Sequence, residues 1–256
     1  MRPLRFVMSS LTVAEMEARK IRHDSSELWT RAVQPALWLL VFGEVFNQIR
    51  GLAPGGMPYI EFIAPGVLAQ SVLFISIFYG ITIVWERDVG LLTKLLSTPS
   101  PRSSIVVGKA LAAGVRGIFQ AVMIFALALV INVNLRLDPL DIALVFVVIV
   151  LFAMCFSSLS MTLASVLKTR ERMMGIGQAI TMPLFFASNA IYPIQLMPQW
   201  LRYIAVLNPL SYVVDAMRSM LLTGDYSGLP LDMLAIALAT LLFITTASVM
   251  LKRLIE

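Results

Sequence analysis

The chain has 256 residues, of which 59% are hydrophobic and only 14% charged, with a mean hydropathy of +0.85. A soluble domain is about a quarter charged, so these residues cannot cover a water-facing surface and a soluble enzyme or binding module is excluded. The net charge of +5 is accounted for below by where the basic residues lie rather than by a nucleic-acid partner; the single cysteine, Cys155, excludes an intrachain disulfide and a cysteine-rich metal site, and the single histidine, His23, sits in a polar loop, which argues against a His-based metal site or a His-paired nucleophile.

The N-terminal arm, residues 1–33, places Leu4, Phe6, Val7, Leu11 and Val13 ahead of Glu15, Glu17, Arg19, Lys20 and Arg22. That order predicts an interfacial amphipathic helix with snorkelling basic stems. No short apolar run with a small-residue cleavage site precedes the first long one, so no signal peptide is expected. Asp24-Ser25-Ser26-Glu27 has capping-box spacing. A second helix is therefore expected from Ser25 into the first span, with Pro35 kinking it or marking the start of the crossing.

A crossing helix needs about 20 mostly apolar residues. Six runs satisfy this, at roughly 34–50, 62–84, 104–132, 140–167, 173–192 and 232–251. Helices are the only plausible form, because the runs are continuously apolar where a barrel strand would alternate. Fifteen of the 20 Lys and Arg residues fall in the N-terminal arm, the loops after the second and fourth spans, and the C-terminal tail. The positive-inside rule then puts both termini in the cytoplasm. Between Pro193 and Leu222 the chain is apolar but broken at Pro198 and Asn208-Pro209 into pieces too short to cross. This predicts a re-entrant pair of half-helices on the outer face, with Trp200, Tyr203 and Tyr212 at headgroup level.

The loop Trp85-Glu86-Arg87-Asp88-Val89-Gly90-Leu91-Leu92-Thr93-Lys94-Leu95-Leu96-Ser97-Thr98-Pro99 carries the strongest local signal. Val89, Leu92 and Leu95-Leu96 recur at helical spacing, acidic residues stand at the front where the helix dipole favours them, and Pro99 and Pro101 stop the run. A short helix over about 86–97 is expected, either lying on the membrane or seated as a knob in a partner's groove. A P-loop is absent: Gly108-Lys109 is followed by Ala110, and Ser103 stands where the motif needs its first glycine. Gly175-x-Gly177 has no dinucleotide fingerprint around it, and the chain is not expected to be an enzyme.

Charged residues inside spans are functional candidates. Glu44 in the first span and Arg116 in the third could line a path or close an ion pair, while Glu61 and Asp141 near span ends read as solvated. Asp215 and Arg218, three apart, read as a local ion pair. Ala110, Ala113, Gly114, Gly117 and Ala121 form a small-residue stripe, read first as packing within the subunit and second as a dimer seam.

Glu86-Arg87-Asp88-x-Gly90-x-x-x-x-Leu95-x-x-Thr98-Pro99-x-x-Arg102 followed by Gly108-Lys109 resembles the first cytoplasmic loop of ABC-2 type transporter permeases. Phe62-Ile63-Ala64-Pro65-Gly66 resembles that family's Pro-Gly motif, and Asn208-Pro209-Leu210-Ser211-Tyr212 with Asp215 and Arg218 its signature after the fifth span. The resemblance covers nearly the whole chain and is nearest to the daunorubicin-resistance type. It implies an all-α integral membrane protein in the plasma (inner) membrane, paired as a homodimer and driven by two separate ATPase subunits that carry ATP and magnesium. This chain would hold no cofactor or metal itself. Glu86, Arg87, Asp88, Gly90, Leu91, Leu95, Thr98, Pro99 and Arg102 would form the ATPase-coupling helix, and Pro193, Pro198, Asn208, Pro209, Tyr212, Asp215 and Arg218 the extracellular gate. Glu44, Arg116, Pro65 and Gly66 would belong to the path or its packing, and the cargo would be a drug, lipid or lipid-linked glycan moved outward. A self-powered secondary transporter or channel, and an integral membrane enzyme, are the competing classes. No span carries enough carboxylates for an ion relay, and no inverted repeat is evident.

Overall fold

Apolar runs of this length leave the backbone no hydrogen-bond partner but itself, and among the described residues the regular elements are all helical. A computed structural model describes residues 2–23, 26–47, 53–98, 100–167 and 169–251. Pro99, Lys168, Arg50, the Asp24-Ser25 half of the expected cap and the basic tail residues Lys252 and Arg253 lie outside these.

Helix α1 spans Arg2–His23 and α2 Ser26–Leu37; α2 continues through a π turn at Trp38–Phe42 into α3, Gly43–Asn47. Then come α4 (Tyr59–Asp88), α5 (Leu91–Leu96), α6 (Arg102–Val130), α7 (Pro139–Leu167) and α8 (Arg170–Phe186). Helices α9 (Gln199–Leu207) and α10 (Pro209–Arg218) form a broken pair before the final helix, α11 (Leu229–Met250). Four of these, α4, α6, α7 and α11, are long and apolar enough to cross a membrane. They match the second, third, fourth and sixth expected spans within a few residues.

Two expectations are corrected. The fifth span, expected to reach residue 192, ends as helix at Phe186, because the Asn208 side chain takes up the carbonyls of Leu184 and Ala187 and turns the chain there. The short loop helix does not begin at Glu86. Helix α4 runs on to Asp88, Gly90 adopts a left-handed conformation (φ 74°), and only then does α5 start. Glu86, Arg87 and Asp88 thus stand in the last turn of α4 rather than at the front of a new helix.

Helix α4 is the hub, packed by α6, α7, α8 and α10 and buried along nearly its whole length. Hydrophobic burial does not draw helices together in lipid, so close packing must. The small-residue stripe supplies it within the chain: Gly117 lies against Ile149, Val72 and Ala153, and Gly114 against Val150. Helix α10 sits inside, with Leu210, Val213, Val214 and Met217 fully buried, whereas α9 turns Trp200, Tyr203 and Leu207 outward. Leu231, Leu234, Leu238, Leu241 and Leu242 of α11 are exposed, a face suited to lipid and hazardous in water.

Candidate functional site

At one end of the bundle, four charged side chains from three elements meet. Lys109 on α6, 2% exposed, lies 3.1 Å from Glu17 of α1 and 2.5 Å from Glu86 of α4. Lys20 closes the ring, at 2.9 Å from Glu17 and 3.3 Å from Glu86. Helix α1 reaches this position because Gly108 lets it in: a Cβ there would stand 2.6 Å from that of Val13 and 2.7 Å from the Ser10 carbonyl oxygen. Burial pushes the Glu17 carboxyl up, but Lys109 and Lys20 outweigh it and hold the group at about 2. Burial lowers Lys20, and Glu17 and Glu86 together overcome that and raise it. Two turns further along α6, Arg116 lies over the Tyr79 ring at 3.9 Å from its centre.

The α4–α5 turn projects from this cluster. Its expected apolar stripe is divided: Leu92 is fully buried and Leu96 packs on the core, while Val89 at the tip is 71% exposed. The hydroxyls of Ser97 and Thr98 donate to the carbonyls of Lys94 and Leu95, closing the last turn of α5. Asp88 pairs with Arg87 at 2.7 Å and with Arg170 at the start of α8 at 2.8 Å. Exposed Arg102 is the first residue of α6. Sequence reasoning placed Glu86 on the coupling surface; the structure turns it inward onto Lys109 and Lys20. Arg87, Asp88, Gly90, Leu91, Leu95 and Thr98 do share the projecting turn.

The opposite end joins two motifs that are far apart in sequence. Asn208 donates to the Leu184 and Ala187 carbonyls at 2.6 and 3.3 Å and accepts from the Leu210 amide at 3.0 Å. It thus ends α8 and caps α10 with one side chain, and Pro209 fills the first helical position where no amide is needed. The Arg218 guanidinium lies 3.7 Å from the Phe62 ring centre and donates to the Phe62 and Ala190 carbonyls. Asp215, 3.9 Å from Arg218, accepts from Asn189. Gly66 approaches so closely that a Cβ there would be 2.2 Å from the Ala190 oxygen. The Tyr212 hydroxyl ties back to the Val206 carbonyl at 2.7 Å, Pro193 precedes a short 3₁₀ turn, and Pro198 opens α9. Pro65 is buried in α4. Glu44 is exposed, and Arg116 is engaged by Tyr79 instead.

Sequence reasoning missed the Glu17–Lys109 contact and the role of Asn189. The i, i+3 spacing of Glu17 and Lys20 was visible, but the third partner lies on another helix. No group of metal-ligating side chains occurs among the described residues.

The ABC-2 type transporter family model matches residues 9–222. The transport permease ycf38 of Cyanophora paradoxa is 30% identical over 73% of this chain, which spans 64% of that relative's length. The daunorubicin resistance ABC transporter permease protein DrrB1 of Streptomyces coeruleorubidus is 23% identical over 86% of this chain and 78% of its own. The inner membrane transport permease YadH of Escherichia coli (strain K12) is 23% identical, with 77% of each chain covered.

Proposed function

This chain belongs to the ABC-2 type transporter family of multi-pass membrane transport proteins, and from that premise we propose that it is the permease subunit of an ATP-driven exporter. In this reading it crosses the plasma membrane six times, with α2–α3 and α8 as the two crossings beyond the four long helices. Both termini face the cytoplasm, and two copies pair. Two separate ABC ATPase subunits supply ATP hydrolysis, and an amphipathic drug, lipid or lipid-linked glycan moves outward.

The α4–α5 turn carries the reading. An exposed apolar tip, Val89, stands among the charged Arg87, Asp88, Lys94 and Arg170. An apolar centre with a polar rim is the composition of a protein-docking knob. Leu92 and the Glu86–Lys109 pair fix its inner side, so a push on the knob is passed to α4, α6 and α1 together. The Asn208-capped hairpin at the far end then serves as the gate, held shut by Arg218 on Phe62 and Ala190.

The test is reconstitution of this chain with an ATPase encoded beside it, following a fluorescent amphiphile across proteoliposome membranes. Flux that needs both the ATPase and ATP supports the proposal. Flux from the permease alone, driven by an ion gradient, would instead make it a secondary transporter.

A further inference from the structure

The charges at the clamp end of the bundle do not balance. Among the described residues the cations there are Lys20, Lys109 and Arg116, and the two lysines take up both carboxylates, Glu17 and Glu86. Arg116 is the surplus cation. It is only 9% exposed, yet it forms no ion pair with any described residue. The face of Tyr79, 3.9 Å away, eases its charge without neutralising it. A guanidinium at membrane depth without a counter-ion is costly.

The side chain is placed to receive one from outside. Its Nη1 donates back to the Ala112 carbonyl at 3.5 Å, which folds it one turn toward the clamp, the snorkelling direction for a basic residue in a span. Its Nε and Nη2 have no partner among the described residues, and neither is sealed from the surface, whereas both amide atoms of Gln120, one turn deeper, are sealed. Helix α1 marks the depth. It packs on α6 at Gly108 with Val7, Met8 and Leu11 exposed, as in an interfacial helix. Ala112 lies about 6 Å deeper along α6, which puts the guanidinium just below the headgroups.

The anion's class follows from the fork and its surroundings. A guanidinium holds a phosphate through two parallel hydrogen bonds. Phe119, three residues deeper, and Val122, three beyond that, are both exposed and form an apolar bed leading away from it. A dissolved phosphate gains nothing from such a bed and must shed water to reach this depth. A lipid phosphate already lies there, with acyl chains to lay along it.

We propose that Arg116 binds the phosphate of an anionic phospholipid from the leaflet at the clamp end, held against α6 as a structural lipid and not as cargo. Nothing in this depends on an ATPase or on the direction of transport.

The experiment is native mass spectrometry of the full-length chain, delipidated in micelles and titrated with phosphatidylglycerol or phosphatidylcholine of the same acyl chains, alongside thermal melts. Phosphatidylglycerol should bind saturably, roughly tenfold more tightly than phosphatidylcholine, and should raise the melting temperature. Arg116→Met should bring its affinity down to the phosphatidylcholine level and abolish the thermal shift. Arg116→Lys, which keeps the charge but not the fork, should weaken binding roughly threefold, and decides the question if the methionine variant does not fold. Arg19→Met removes a cation that is 80% exposed on α1 and should change neither readout. The proposal is overturned if both Arg116 variants bind as wild type does, or if Arg19→Met weakens binding as much as they do, which would mean diffuse surface attraction. It is overturned as well if inorganic phosphate alone displaces the lipid and gives the same stabilisation, which would make this a free-anion site. Equal binding of the two lipids would also overturn it and leave a carboxylate of the chain, such as Glu27, whose side chain lies outside the described ones, as the partner of Arg116.

Discussion

Single side chains at the two ends of the bundle do more than their motifs reveal. Lys109 answers two carboxylates, and Glu17 and Lys109 are both almost fully buried. Breaking a buried ion pair outright costs about 3–5 kcal/mol, but Glu17 keeps Lys20 when Lys109 is lost, and Lys109 keeps Glu86 when Glu17 is lost. Lys109→Ala, which leaves two carboxylates on one half-exposed lysine, is therefore expected to cost up to about 3 kcal/mol in micelles, and Glu17→Ala less. The double variant Glu17→Leu with Lys109→Met should lose clearly less than the two single losses combined, since no unpaired charge remains. Asn208 makes a separate prediction, because it donates twice and accepts once. Asn208→Ala loses the α10 cap, about 1–2 kcal/mol, and the donations to α8, whereas Asn208→Asp keeps the cap but sets a buried, unpaired carboxylate oxygen against the Leu184 and Ala187 carbonyls. A ranking of wild type above Ala above Asp in thermal melts at neutral pH is expected.

The identity of these residues was legible in the sequence, since Glu86, Gly108-Lys109, Asn208, Asp215 and Arg218 all stood in quoted motifs. Their direction was not. Glu86 was read as facing a partner because its spacing with Gly90 and Leu95 is local, while Lys20 lies 66 residues away in the chain. Only the fold brings them together.

For whole elements, apolar length was a sufficient guide where the backbone had no alternative, and α4, α6, α7 and α11 fell where their runs did. It failed where a distant side chain or a glycine decided the end. Helix α8 stops for Asn208, and α5 starts late because Gly90 breaks the helix. Helix α1 was expected in the headgroups. Its Val7, Met8 and Leu11 are indeed exposed, but Ser10, Val13 and Glu17 dock on α6. That docking should depend on pH. A carboxyl held below its ordinary value contributes stability above that value and loses it as pH falls toward the lowered one. For Glu17 the loss runs from about 4.5 down to about 2. Lys20, raised from 10.5, contributes below that pH and loses its share only as pH climbs past the raised value. Docking should therefore hold through neutrality and loosen in acid. A nitroxide at exposed Met8 should gain mobility below pH about 4.5, and Glu17→Gln should be loose at neutral pH as well. Unchanged mobility down to pH 3 would show that apolar packing alone holds α1.

At the scale of the molecule, the family and the all-helical architecture were readable from composition and motif order. The Glu17–Lys109–Glu86 clamp was not, because three helices from separate parts of the chain supply it and no periodicity announces it. The small-residue stripe was read as internal packing, and Gly114 and Gly117 against α7 agree. The picture that emerges couples an exposed knob, an internal charge clamp and a capped hairpin along α4. Its central claim is that the α4–α5 turn engages an ATPase through Val89 rather than through the buried Glu86.

The most direct measurement is how much ATPase co-purifies with the Val89→Asp chain, and how fast that complex hydrolyses ATP in nanodiscs. The account predicts that both fall roughly tenfold or more while the melting temperature stays at the wild-type value, since Val89 is 71% exposed. Full retention of ATPase and activity by Val89→Asp would contradict it and leave the turn as a surface helix with no coupling role.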